Sequence, residues 1–103
     1  EAFNSLMDRE LPEHLQKKVV DTALAIDGVL GIHGLRTREA GSTRFIQLHI
    51  ELDNHLSLLK AHAISDEVES ALMKVFPSAD IIVHMDPEII AYVEGSITER
   101  HST

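Results

Sequence analysis

Cysteine is absent from the 103-residue chain. Disulfides, thiolate nucleophiles, iron–sulfur clusters and Cys-based zinc or copper sites are therefore excluded. No stretch approaches the run of about 18 apolar residues that a membrane helix needs. Basic residues are scarce, nine Lys and Arg against seventeen Asp and Glu, which leaves a formal net charge of −8. Such a surface repels phosphate backbones and anionic lipid and attracts cations, so nucleic acid is not an expected partner. Internal repeats, low-complexity segments, a Gly-rich phosphate loop and a nucleophile elbow are all missing. What remains is ordinary for one small globular domain: 44% hydrophobic and 25% charged residues, and a length at which folding buries roughly 60–70% of the unfolded surface. Seven His residues are the one excess, and His is the commonest metal ligand among side chains. The chain opens at Glu1 without Met or a signal-like segment and reads as a piece of something longer.

Periodicity supplies the elements. Pro12 stands at a helix start, and Leu15, Val19, Thr22 and Ile26 recur as one stripe of an amphipathic helix over 11–27, with Gly28 as the residue that ends it. Residues 29–39 are β-like but interrupted by Gly31 and Gly34, which predicts a bulge or twist. After a turn at Ala40-Gly41-Ser42, residues 43–53 alternate cleanly. Ile46, Leu48, Ile50 and Leu52 point one way, and Phe45, Gln47, His49 and Glu51 the other. Ser57 caps a second helix with Leu58, Ala61, Ser65, Val68, Leu72 and Val75 as its buried stripe, and Pro77 stops it. A third strand covers 80–86. The order α-β-β-α-β predicts an α+β two-layer sandwich, a ferredoxin-like unit with a three-stranded sheet and both helices on one face. Residues 1–10 read as a linker and 88–103 as a tail.

The polar residues that alternation leaves outside the core carry the chemistry. His49 lies opposite the Ile46/Leu48/Ile50 face, and His84 and Asp86 share a face of the third strand. His33 falls near the Gly-marked irregularity, and His62 at the edge of the second helix's stripe. Imidazole and carboxylate are what zinc and neighbouring divalent ions take when thiolate is absent. A lone His on a strand's polar face is most often just solvated, and the spacing 33, 49, 62, 84, 86 matches no local metal motif. His14, His55 and His101 are assigned no role. An acid/base enzyme built on His49 and Asp86 lacks any visible substrate pocket, so the chain is not expected to be an enzyme.

The strings GVLGIHGLRTREAGSTRFIQLHIELD (28–53), AHAISDEVE (61–69) and FPSADIIVHMDP (76–87) together resemble the cytoplasmic C-terminal domain of bacterial cation diffusion facilitators, in the zinc and ferrous-iron efflux branch. The similarity runs from about Leu6 to Pro87. It implies a metallochaperone-like αββαβ domain, 11–87, that pairs with a second copy below a transmembrane domain of the same full-length chain, on the cytoplasmic side of the bacterial inner membrane. In that family metal binding near the subunit interface tightens the homodimer, and the full-length protein couples efflux to protons. The resemblance places a binuclear site on His33, His49, His62, His84 and Asp86, with the carboxylate bridging. His33 and His49 then serve one ion, His62 and His84 the other. The expected cofactor is a divalent metal, zinc first, with iron, cadmium and manganese as alternatives. Met85 departs from relatives that often carry Gln there. The rival reading is a metal-free ferredoxin-like interaction or small-ligand regulatory domain in which the histidines are incidental.

Overall fold

Strict alternation along residues 43–52 makes this segment the middle of the molecule. From Ile46 to Leu52 one of its faces is wholly apolar, and that stretch is hidden under helices. The computed structural model describes residues 9–88, which run α1 (Glu13–Leu24), β1 (Gly31–Ala40), β2 (Thr43–Leu52), α2 (Leu58–Val75) and β3 (Asp80–Pro87). β2 is the central strand of a three-stranded sheet, antiparallel to β1 and parallel to β3. The parallel pairing requires a long crossover, which α2 supplies. The expected α+β order is the one observed. The expected linker, 1–10, lies mostly, and the expected tail, 88–103, almost entirely, outside the described residues.

Ile46, Leu48, Ile50 and Leu52 of β2 are buried against Val19 and Ala23 of α1 and Ile64, Val68 and Leu72 of α2. Leu11 and Phe76 complete this core. Two details of the α2 stripe differ from the periodic expectation. Leu58 is 80% exposed and Val75 37% exposed, while Ile64 and Phe76 are buried instead. A stripe of period 3.6 can be continued through either neighbour at its ends. The sheet beneath decides which one is covered.

Local chemistry sets the boundaries. The Ser57 hydroxyl accepts the Lys60 backbone N–H at 3.0 Å and caps α2. Before it, the Asp53 carboxylate accepts the His55 backbone N–H at 2.8 Å in an Asx turn. That bond, against the opposing effect of desolvation and with smaller contributions from the His55 ring, holds the Asp53 carboxyl below its ordinary pKa. α1 is shorter than the expected 11–27. It ends at Leu24, because Ile26 N–H turns back to the Ala23 carbonyl at 3.2 Å and tightens the chain. Gly28, at φ 102°, then makes the turn into β1, where a Cβ would lie 2.7 Å from Ile64 Cδ1. In the hairpin, Ala40 pairs with Thr43 around a two-residue loop whose first member, Gly41, has φ 64°. Glycine is the residue such a loop wants there. Arg9 exchanges backbone hydrogen bonds with Glu39, so the chain entering α1 covers part of the outer edge of β1.

Candidate metal centre

With both helices of the described residues on one side, the second face of the sheet has no helical cover among those residues, and the outward-facing side chains of every strand lie on it. Cross-strand register does the assembling. His33 of β1 pairs with His49 of β2, and His49 pairs with His84 of β3. Three imidazoles, 51 residues apart in sequence from first to last, become a single row. His33 and His49 rings stack at 5.0 Å and 21°, and His49 and His84 at 4.5 Å and 17°.

The expected irregularity in β1 is present, with the register shifting between His33 and Arg36. Along an unbroken strand, residues three apart face opposite ways. The extra residue of the bulge puts both on the open face. Gly34 adopts φ 64° within it, and a Cβ there would come 2.9 Å from His49 Cδ2. The missing side chain is thus the space the His49 ring uses.

Asp86 lies two residues beyond His84, on the same face. Its Oδ2 is 2.8 Å from His49 Nδ1 and 3.1 Å from His33 Nε2. One donor atom from each of His33, His49 and Asp86 falls within a 4.8 Å cluster. All three side chains are half-buried, enough to be oriented yet reachable from solvent. Two imidazole nitrogens and a carboxylate oxygen fit zinc and its neighbours in the first transition row, with a coordination position left open.

The five expected ligands are therefore not all gathered together. His33, His49 and Asp86 converge, and His84 joins the row by stacking. His62 sits on α2, 65% exposed, with its Nδ1 3.4 Å from Asp66 Oδ2. A groove lined by Leu58, Ala61, Met85 and Asp86 places the start of α2 beside the end of β3, so His62 is one residue from that groove. Among the described residues His55 bonds Asp53 in the loop, and His101 lies outside them. Glu51, which alternation marks only as an outward-facing residue of β2, also reaches the site. Its Oε2 is 2.9 Å from His33 Nδ1. The signal was available, since Glu51 stands two residues from His49 in an alternating strand and so shares its face.

The rest of the open face is different in character. Arg36, Arg38, Phe45, Gln47, Asp80 and Ile82 line a shallow groove there, in which the Arg38 guanidinium lies 4.3 Å from the centre of the Phe45 ring. No helix among the described residues is long and apolar enough to cross a membrane.

Comparison with known proteins agrees with this architecture. The family described as "Cation efflux protein, cytoplasmic domain" matches residues 11–88. The cation-efflux pumps FieF of Escherichia coli (strain K12 / DH10B) and of Shigella boydii serotype 18 are each 44% identical over 95 residues, 92% of this chain and 32% of the relative. The chain thus spans about a third of the length of these relatives. Among solved structures, a nickel form of a MamM C-terminal-domain variant superposes with TM-score 0.70 at 25% identity, covering 74% of this chain and 98% of that one. A cadmium form of another variant gives 0.69 at 25% identity, covering 73% and 95%. A family match across nearly all the described residues, together with these identities, shows that the chain belongs to the cytoplasmic-domain family of cation efflux proteins.

Proposed function

We propose that the chain is the cytosolic, dimerising and divalent-metal-binding regulatory domain of a cation efflux transporter, with zinc as the first candidate ion and ferrous iron the second. The observation that carries the reading is the convergence of His33, His49 and Asp86, with two imidazole nitrogens at 3.1 and 2.8 Å from one carboxylate oxygen. In the longer protein this domain, 11–87, hangs below a membrane part that performs the transport, on the cytoplasmic side of a bacterial inner membrane. Residues 1–10 lead in from that part, and 88–103 form a tail. Efflux itself is coupled to protons in the membrane part.

A bound dication supplies positive charge to a face that carries Asp86 and Glu51 in a chain of net charge −8. The chain's own residues do the selecting and holding. The strand register fixes the spacing of His33 and His49, and Asp86 supplies the negative charge that neutral imidazoles lack. His84 and His62 are assigned to a second ion, bridged by Asp86 and completed where two copies meet. Because the open face carries these donors, metal and partner bind to the same surface. Closure is then a population shift, as large as the closed dimer's preference for the ion.

The test is equilibrium dialysis of the chain against Zn²⁺, Mn²⁺ and Fe²⁺ alongside light scattering. Stoichiometric zinc uptake that is lost in His49→Ala supports the reading. Uptake that is absent, or indifferent to His33, His49 and Asp86, favours the metal-free interaction or small-ligand domain.

A further inference from the structure

We propose that Glu51 is a positioning residue that dictates which nitrogen His33 presents to the ion; the inference rests on the metal-binding reading above. His33 lies between two carboxylates, with Nδ1 2.9 Å from Glu51 Oε2 and Nε2 3.1 Å from Asp86 Oδ2. A carboxylate can only accept, so each contact draws a proton onto the nitrogen that faces it. Asp86 is itself a ligand in the proposed site, so an ion takes over its contacts with His33 Nε2 and His49 Nδ1, whereas the Glu51 contact keeps its proton on His33 Nδ1 and leaves Nε2 as the ligating atom. His49 is turned the other way, with Nδ1 toward Asp86 at 2.8 Å. Neighbouring imidazoles on paired strands therefore offer opposite nitrogens. The carboxylate behind His33 is the outer partner that orients a metal-bound imidazole and raises its basicity.

The backbone is cut to fit this contact. Gly31 is the cross-strand partner of Glu51, and a Cβ at Gly31 would stand 2.7 Å from Glu51 Oε1 and 3.2 Å from its Cδ. The Glu51 carboxylate therefore lies over the bare Cα of Gly31. Any side chain there would push it off His33. The obstacle is the free end of a flexible side chain and not backbone, so Gly31→Ala leaves the fold intact while disturbing the bond. Glycine at 31 is then a requirement of the site, separate from the bulge that Gly34 serves.

The experiment uses the whole chain, wild type and Glu51→Gln, Glu51→Ala and Gly31→Ala, each checked for an unchanged thermal midpoint. Nitrogen-15 NMR of the ring nitrogens is recorded with and without Zn²⁺, and zinc affinity is titrated. In the metal-free wild type a hydrogen-bonded Nδ1 proton of His33 should be visible, kept in the Gln variant, whose amide oxygen still accepts, and lost in Glu51→Ala. In the zinc-loaded protein His33 should bind through Nε2 and His49 through Nδ1. Affinity should fall roughly 10–100-fold in Glu51→Ala, the size expected when an outer partner of a metal-bound imidazole is removed, and less in Glu51→Gln. Gly31→Ala should resemble Glu51→Ala. Ligation of His33 through Nδ1, or an affinity within twofold of wild type in Glu51→Ala while His49→Ala loses zinc, overturns the role of Glu51 alone. Absence of zinc uptake by the wild type overturns the metal reading and this role with it.

Discussion

At the scale of single residues, the candidate centre is an economy of one carboxylate. Asp86 Oδ2 is approached by both His33 and His49, so it is the one side chain shared by everything else in the cluster. Asp86→Ala should therefore weaken zinc binding more than any single His change, by more than the roughly 10–100-fold typical of losing an outer partner. Calorimetry showing normal binding in Asp86→Ala but not in His49→Ala would remove the bridging assignment. Changes at His14, His55 or His101 should leave affinity nearly unaltered. A histidine site also carries a proton linkage, because imidazole must be neutral to ligate and ordinarily titrates near pH ~6.5. Binding releases protons, so affinity falls as pH drops from about 7.5 to 6, and by more than the first power of proton concentration when several imidazoles engage. A flat profile over that interval, measured in non-chelating buffers, would exclude the site, whereas a carboxylate-only site would release metal mainly near pH ~4–5.

At the scale of elements, the bulge in β1 and the parallel addition of β3 make the site. Gly34 serves twice, once for its positive φ and once for the space its missing Cβ leaves beside His49. Gly34→Ala should cost about 1–2 kcal/mol for the left-handed backbone, and the 2.9 Å approach to His49 Cδ2 should displace that ring. The expected result is a lowered thermal midpoint together with weaker zinc binding. Loss of stability without loss of affinity would show that the bulge shapes the strand but not the site. On the other face of β2, Leu48 is fully buried beneath both helices. Leu48→Ala should destabilise the fold by about 2–5 kcal/mol in chemical denaturation, and folded molecules should still bind zinc, because the side chains of the two faces never meet.

At the scale of the whole molecule, the three strands and two helices of the described residues leave one sheet face uncovered among those residues. That face is mixed. It carries Ile82 at 49% exposure, the Arg38–Phe45 pair and the row of imidazoles. Covering it with a second copy hides apolar area and brings two sets of donors together, whereas two chains of charge −8 repel. The chain should be dimeric at tens of micromolar without metal, and zinc should tighten the dimer by offsetting that repulsion. A monomer by light scattering under both conditions would contradict this arrangement.

The strands, the helices and their order followed from periodicity alone. A half-buried strand announces itself by period 2 and a half-buried helix by period 3.6, and both signals are local. Alternation also assigned His49, His84 and Asp86 to the outside of the sheet, and the glycines marked the irregularity in β1. What one chain read end to end did not contain was register. That His33 meets His49, and His49 meets His84, depends on where the hairpin turns and how far α2 carries the chain before β3 begins. The place of His62 is likewise tertiary, because the α2 stripe could be continued through either neighbour until the sheet chose Ile64 and Phe76. Glu51 lay in plain view on the face of His49. Its partner was 18 residues away on another strand, and only pairing of the two strands over the bare Cα of Gly31 brings carboxylate and imidazole into contact.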